Sequence, residues 1–215
     1  MNPVDISLYG IIDPEHCLGR ELAELAKISV ENGVTLIQYR DKKNGIRTMI
    51  ENASAIRDAL KGTNVPLIIN DRVDVAIACN ADGVHLGQED MPVDHARSIL
   101  GEEAIMGLSI KTVEEARSCP VDRIDYAFVG GVFVTHSKDN PSAIGIDGWM
   151  ERANLIKNTK PEMPVGAIAG IDSDNAKQMV AAGCDGVAVI SSIYMAEDVA
   201  SATRELSNVV KGKSA

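Results

Sequence analysis

The sequence alternates eight times between a short apolar run and a stretch with helical spacing, and this alternation is its strongest constraint on the fold. The apolar runs indicate buried parallel strands at residues 6–12, 35–39, 66–69, 83–86, 104–108, 126–129, 165–168 and 186–190. Helical spacing is found at residues 20–31, 48–60, 73–78, 113–117, 148–157, 175–182 and 198–210, and a further helix is expected beyond Pro92. Eight β/α units without a linker predict one domain, residues 1–215, folded as a closed (β/α)8 TIM barrel. An open doubly wound sheet is the alternative.

Composition excludes several classes of partner. The formal net charge of −10 argues against nucleic acid or an anionic membrane, although a locally basic pocket can still hold a small phosphorylated ligand. The four cysteines are widely spread, without metal-binding spacing, which indicates reduced thiols. The N-terminus does not show the basic region followed by a long apolar segment that is expected of a signal peptide, and no apolar run approaches about 18 residues. We therefore expect a cytoplasmic protein that acts on small molecules, and the oligomeric state stays open.

The functional groups of a barrel lie at the carboxyl ends of its strands and in the loops that follow. After the second strand the chain continues through Gln38, Tyr39, Arg40, Asp41 and Lys42. Strand alternation puts Gln38, Arg40 and Lys42 on one face, with Tyr39 and Asp41 on the other. An arginine beside a lysine suits an anion with several oxygens, such as a phosphate. A charged segment that simply enters solvent is the alternative.

The third and fourth strands are each followed by a carboxylate, Asp71 after Asn70 and Asp90 after Gly87. Judged alone, either aspartate could be the N-cap of the next helix. Judged together, two carboxylates on adjacent barrel loops favour a hard cation. Magnesium in proteins is usually held by one or two carboxylates, water and the phosphate oxygens of a substrate. We therefore predict a magnesium site at Asp71 and Asp90.

The fifth and sixth strands end in further polar groups. Ser109 closes the fifth strand and could contact a ligand or cap a helix. The sixth strand leads into a glycine-containing loop that continues through Thr135, His136, Ser137 and Lys138, which is a plausible phosphate cradle. His136 could act as an acid or base, or it could be an exposed bystander.

The last two strands end at Gly170 and Ser191, where many barrels bind a phosphate through backbone N–H groups. A simple glycine turn and a serine cap are the alternative. The mouth then has two separate provisions for phosphate, which suggests two phosphorylated substrates, one of them with a metal-bound diphosphate that leaves. No arrangement for covalent catalysis is legible in the sequence.

Five segments are similar to those of the thiamine phosphate synthase family, and together they run from the second strand to the eighth. They are QYRDK at 38–42, INDRVDVA at 69–76, ADGVHLGQED at 81–90, THSK at 135–138 and NAKQMVAAGCDGVAVISSI at 175–193. The resemblance implies a barrel enzyme, a transferase, that joins hydroxymethylpyrimidine diphosphate to hydroxyethylthiazole phosphate and releases diphosphate. The implied mechanism is dissociative and assisted by magnesium: diphosphate leaves first, and the thiazole nitrogen captures the pyrimidinylmethyl cation.

The resemblance also assigns roles to residues. The expected catalytic residues are Arg40, Lys42, Ser109 and Lys138, and the expected magnesium ligands are Asp71 and Asp90. The expected substrate-binding residues are Gln38, Tyr39, Arg40, Asp41, Lys42, Asn70, Ser109, Thr135, His136, Ser137, Lys138, Gly170, Ile190 and Ser191. Among these, Thr135, Ser137, Gly170, Ile190 and Ser191 are expected to hold the thiazole phosphate.

The chain departs from the family pattern in two loops. The family usually has GP.FPT after the sixth strand, where this chain has Gly131 and Val134 in GGVFVT, so the loop is expected to be looser. The usual GGI turn is AGI here, and Ala169 is harmful only if its position needs a positive φ. Two alternatives stay open: a thiazole tautomerase-like paralogue, in which His136 would transfer a proton, and a non-catalytic, thiamine-precursor-binding regulatory barrel. Neither needs a site for a leaving diphosphate.

Overall fold

The strands form a closed parallel barrel in the computed structural model, which describes residues 4–134 and 143–212. They pair in chain order and the last closes onto the first, which confirms the predicted (β/α)8 barrel and excludes the open sheet. The strands are β1 (Leu8–Ile12), β2 (Leu36–Tyr39), β3 (Leu67–Asn70), β4 (Gly83–Leu86), β5 (Ile105–Ile110), β6 (Tyr126–Val129), β7 (Val165–Ile168) and β8 (Val187–Val189). Several strand ends differ from the predicted bounds by one or two residues.

Helices cover the outside of the barrel. They are α1 (Leu22–Glu31), α2 (Ile46–Ala59), α3 (Val73–Cys79), α4 (Val93–Leu100), α5 (Val113–Arg117), α6 (Gly145–Thr159), α7 (Ser173–Ala181), α8 (Ser191–Tyr194) and α9 (Val199–Lys211). The four-residue α8 and a one-turn 3-10 helix, Pro14–His16, are absent from the sequence prediction because each is too short to show helical periodicity. None of the described helices is long and apolar enough to cross a membrane. All four cysteines are in the reduced thiol form.

Each strand buries both of its faces. Outward side chains such as Leu67, Val84 and Ile110 pack in a large core beneath the helices. Inward side chains fill the barrel itself, and the buried ones include Tyr9, Ile11, Leu36, Ile68, Tyr126, Phe128, Ala188 and Ile190. Burial on both faces explains why the strands appear in the sequence as apolar runs rather than as an alternation of apolar and polar residues.

Glycines make room for the aromatic side chains inside the barrel. A Cβ at Gly107 would lie 2.3 Å from the ring of Tyr126, and a Cβ at Gly166 would lie 2.3 Å from the ring of Phe128. Small residues on β5 and β7 therefore accommodate the large residues that β6 points inward. The rings pack edge to face, with centroids 5.7 Å apart.

Three aspartates stabilise the amino ends of β3, β5 and β7. Each carboxylate accepts a hydrogen bond from a backbone N–H near the start of the preceding strand, and it pairs with a basic side chain of the helix that leads into that strand. The three sets are Arg57–Asp82–Leu67, Arg97–Asp125–Met106 and Lys157–Asp185–Val165, with N···Oδ2 distances from the backbone of 2.7 to 2.9 Å. The amino end thus has its own polar stabilisation, at the opposite end of the barrel from the predicted site.

Candidate active site

The inward face of β2 leads directly to the mouth of the barrel. The Gln38 side chain is 2% exposed and donates a hydrogen bond from Nε2 to the Tyr9 hydroxyl inside the barrel, at 2.7 Å. Arg40 lies two residues further on the same face. Tyr39 points the other way, into the outer core, as the alternation predicts.

Arg40 is held by a carboxylate that the sequence analysis did not select. Its Nη1 forms an ion pair with Oδ2 of Asp13, the first residue after β1. Strand register explains the contact, because Ile12 lies opposite Tyr39 and the next pair along is Asp13 and Arg40. Asp13 is 1% exposed, so this carboxylate is a buried part of the mouth. Its position directly after a strand was the signal that could have identified it.

Asp71 lies where a lysine and a second carboxylate meet. Its Oδ2 pairs with the Lys42 ammonium, and its Oδ1 accepts a hydrogen bond from Asn70 Nδ2 at 2.9 Å. Burial is the largest cause that raises the pKa of Asp71, and a hydrogen-bonding interaction with the Asp90 carboxyl is the second. The Lys42 ammonium opposes that shift. The structure therefore brings together four residues that the sequence analysis had selected.

Neither aspartate caps a helix, so the capping interpretations are wrong. The N-cap of α3 is Arg72, and Asp71 has a φ of +59° in the turn before it. The N-cap of α4 is Pro92, while Asp90 Oδ2 accepts a hydrogen bond from the Gly87 N–H at 2.6 Å.

The donor set of this site fits magnesium. Asp71 and Asp90 offer hard oxygen ligands, which magnesium prefers. Burial raises the pKa of Asp71, and the neighbouring Asp90 carboxyl raises it further, so a cation bound by both aspartates would favour their ionised forms. Within residues 4–134 and 143–212, no third histidine, cysteine, aspartate or glutamate completes a metal cluster. Magnesium in proteins usually completes its coordination with water and with the phosphate oxygens of a substrate.

A chain of polar side chains crosses the barrel beneath the mouth. From Gln38 it passes to the Tyr9 hydroxyl, then to the Tyr126 hydroxyl at 2.9 Å, to His85 Nδ1 at 3.4 Å, and from His85 Nε2 to Ser109 Oγ at 2.9 Å. Burial raises the pKa of both tyrosines, so both phenols stay neutral. Ser109 lies within β5 and the N-cap of α5 is Thr112, so Ser109 does not cap that helix.

The sequence analysis missed Tyr9, His85 and Tyr126. Their signal was a polar atom at an inward position of an otherwise apolar strand, whereas the analysis considered only strand ends.

The turn after β7 has an unusual backbone. Ala169 has a φ of +92° and Gly170 a φ of +65°. The Ala169 carbonyl accepts a hydrogen bond from the Phe133 N–H at 3.1 Å, and a Cβ at Gly170 would lie 2.3 Å from the Val134 carbonyl oxygen. Position 169 therefore does require a positive φ, and an alanine there, in place of the glycine usual in the family, introduces backbone strain.

Two residues predicted to bind phosphate lie near this turn. Gly170 is partly exposed, and in the described part of the chain no group accepts a hydrogen bond from its backbone N–H. Ser191 begins α8, and Ile190 before it is 7% exposed and faces the barrel interior.

Some predicted site residues are placed elsewhere or fall outside the described residues. The Tyr39 hydroxyl donates to Asp41 Oδ2 at 2.7 Å, and Asp41 also accepts from the backbone N–H groups of Lys43 and Asn44. Tyr39 and Asp41 therefore shape the loop after β2, and ligand binding by them stays a prediction. Thr135, His136, Ser137 and Lys138 lie outside the described residues.

Comparison with known proteins shows the family of the chain. A family model described as thiamine monophosphate synthase matches residues 8–193. A thiamine-phosphate synthase of Agrobacterium fabrum is 51% identical over 211 residues, which cover 98% of this chain and 96% of the relative. One of Moorella thermoacetica is 43% identical, covering 94% and 95%. The solved structure of a thiamine phosphate pyrophosphorylase from Pyrococcus furiosus is 36% identical, covers 98% of both chains and superposes with a TM-score of 0.85.

Proposed function

Because the chain belongs to the thiamine monophosphate synthase family of transferases, we propose that it condenses hydroxymethylpyrimidine diphosphate with hydroxyethylthiazole phosphate. The products are thiamine phosphate and diphosphate. In this reaction the bond between the pyrimidine methylene carbon and the diphosphate oxygen breaks, and its electron pair leaves with the diphosphate. The thiazole ring nitrogen then forms the new bond to that carbon.

One observation carries the proposal: the contact of Asp71 with both Lys42 and Asp90, in a barrel mouth that also holds Arg40. Two carboxylates and two cations suit a ligand that arrives with both a divalent metal and a polyanion. Magnesium held by Asp71 and Asp90 would neutralise part of the diphosphate charge. Simple binding of an uncharged or carboxylate ligand would not need this combination.

The basic side chains stabilise the charge that develops on the leaving group. Arg40 can offer two parallel N–H groups to the diphosphate, and Lys42 adds a mobile point charge. Lys138 is predicted to add a third cation from outside the described residues. Removal of one such contact typically costs about 3 kcal/mol, or about a hundredfold in rate. No general base is needed, because the attacking thiazole nitrogen carries no proton.

The polar chain beneath the mouth supports binding of the pyrimidine there. A substituted aminopyrimidine has ring nitrogens that accept hydrogen bonds and an amino group that donates them. Gln38 and Ser109, at the two ends of the chain, can both donate and accept. Because burial keeps Tyr9 and Tyr126 neutral, this part of the barrel presents hydrogen-bonding dipoles rather than a charge to the pyrimidine ring.

The opposite side of the mouth is suited to the thiazole phosphate. The N–H of Gly170 and the backbone at Ile190 and Ser191 offer neutral donors, which bind a phosphate without competing for the magnesium. Thr135 and Ser137 are predicted to complete this subsite.

The proposal is tested by synthesis of thiamine phosphate from the two precursors. Wild-type protein with magnesium should form it, and Asp90→Asn should lose at least about a hundredfold in rate. Asp94→Asn is a matched control, because Asp94 is an exposed residue of α4 whose partner is Arg123 on the protein surface. Absence of product, together with isomerisation of a thiazole carboxylate phosphate, would favour the tautomerase. Binding of either precursor without turnover would favour the regulatory barrel.

A further inference from the structure

We propose that Asp13 is a positioning residue, which fixes the Arg40 guanidinium so that its free edge faces the diphosphate. This inference rests on the proposed function and adds to it a residue that touches no substrate. It follows from the burial of Asp13, from the way both of its oxygens are used, and from the contrast between Arg40 and Lys42.

Both oxygens of the Asp13 carboxylate have fixed partners. Oδ1 accepts a hydrogen bond from the Glu15 N–H at 3.0 Å and so caps the 3-10 helix Pro14–His16, and Oδ2 pairs with Arg40 Nη1. The Asp13 carbonyl accepts another hydrogen bond from the His16 N–H, at 2.8 Å. A carboxylate held by this turn cannot follow a mobile arginine, so the arginine is held by the carboxylate.

One nitrogen of the Arg40 guanidinium donates to Asp13, and the other two are available to a ligand. Its backbone N–H donates to the Ile12 carbonyl at 2.9 Å, which extends the pairing of β1 and β2 beyond the strand ends. Nη1 is taken by Asp13, whereas Nε and Nη2 donate to no group among the residues that the structure describes. The Arg40 side chain is 16% exposed, and its free nitrogens remain for a ligand at the mouth.

Lys42 is a second cation of the same site, but its side chain is not held by a buried partner. Its side chain is 48% exposed, and its partner Asp71 is itself a proposed metal ligand. Lys42 must therefore exchange partners when a metal and a diphosphate bind. Arg40 keeps its partner, because Asp13 is buried at the end of the neighbouring strand and is no proposed metal ligand. Preorganised donors are more effective than mobile ones, since no ordering is required when the ligand binds or the bond breaks.

Asp13→Asn separates positioning from capping. An asparagine can still accept the Glu15 N–H through its side-chain oxygen, and asparagine is a good N-cap, so the 3-10 helix is retained. The side-chain NH2 of the asparagine then faces Arg40 Nη1. Because both groups are donors, no hydrogen bond forms and the guanidinium is no longer held in place. The matched control is Asp82→Asn at the amino end, because Asp82 likewise accepts one backbone N–H and one arginine N–H.

The experiment is a double-mutant cycle on Asp13 and Arg40, measured by calorimetric binding of inorganic diphosphate with magnesium. Asp13→Asn should weaken binding about tenfold in the wild-type background and have no further effect in the Arg40→Ala background. In turnover it should lower kcat/KM for the pyrimidine diphosphate by about a hundredfold and leave the KM for the thiazole phosphate unchanged. Asp82→Asn should lower the melting temperature and change neither binding nor kcat/KM.

Three results would overturn the proposal. The first is an equal loss of diphosphate affinity in both backgrounds, and the second is an equal effect of Asp13→Asn on both substrates. The third is a wild-type protein that binds no diphosphate. A protein that binds diphosphate but makes no thiamine phosphate would contradict the proposed function alone, since the binding cycle still reports whether Asp13 acts through Arg40.

Discussion

Replacement of Ala169 by glycine is expected to stabilise the protein. Ala169 has a φ of +92°, a conformation that costs a residue with a Cβ about 1–2 kcal/mol and costs glycine almost nothing. The unfolded chain of the Ala169→Gly variant has more conformational entropy than that of the wild type, which offsets about 0.4–1 kcal/mol of the stabilisation from relieving this strain. We therefore expect the free energy of unfolding to rise by about 0.5–1 kcal/mol, or the melting temperature by about 1–4 °C for a chain of this length.

The assay is thermal unfolding followed by calorimetry, with Ala167→Gly as the matched control. Ala167 lies two residues earlier in β7, is fully buried and has no positive φ. There the same substitution removes a buried methyl group and loosens a strand, so it should lower the free energy of unfolding by about 1–2 kcal/mol. The reasoning is refuted if Ala169→Gly melts at or below the wild-type temperature. It also fails if the two substitutions have effects of the same sign.

Three further predictions concern the site and the barrel. Asp71→Asn should lower turnover about a hundredfold, yet raise the melting temperature in the absence of magnesium. The pKa of Asp71 is higher in the folded protein than in the unfolded chain, so the protonated carboxyl favours folding at a pH below both pKa values. At a pH above both values the ionised carboxylate opposes folding, and the asparagine removes that penalty. Activity and calorimetry on one preparation measure both effects, and a lower melting temperature would count against the sign. Gly107→Ala should cost about 1–3 kcal/mol in denaturant unfolding, because its Cβ would enter the Tyr126 ring; a neutral result would mean that the interior can repack. Asp125→Ala should cost about 2–4 kcal/mol and leave kcat/KM unchanged, because the buried Arg97 guanidinium at the far end of the barrel loses its counter-ion and keeps only backbone carbonyl acceptors. A change in kcat/KM would link the two ends.

The fold and half of the site could be predicted because both follow from local order. Strand and helix periods are written in consecutive residues, and a barrel converts the end of each strand into a position at the mouth. Asp71 and Asp90 are separated by 19 positions in the sequence, yet two adjacent strands bring their carboxylates together. The same rule predicts that Arg40 and Lys42 belong to the mouth.

The residues that were missed depend on properties that only the assembled barrel has. Asp13 matters because the register of β1 against β2 puts it beside Arg40, and register is a property of two strands. His85 and Tyr126 form their polar contact inside the barrel, across β4, β5 and β6. The positive φ at Ala169 arises where the turn after β7 meets the backbone of Phe133. No single segment of the sequence contains these relations.

The central claim is that this mouth expels a metal-bound diphosphate as thiamine phosphate forms. The most direct measurement is the amount of diphosphate and of thiamine phosphate produced by wild-type protein during a titration with magnesium, with both precursors present. We predict that the two products appear one for one, that both depend on magnesium, and that omission of either precursor abolishes thiamine phosphate. Thiamine phosphate formed at the full rate in the presence of a chelator would contradict the account, and so would diphosphate release without any condensation product.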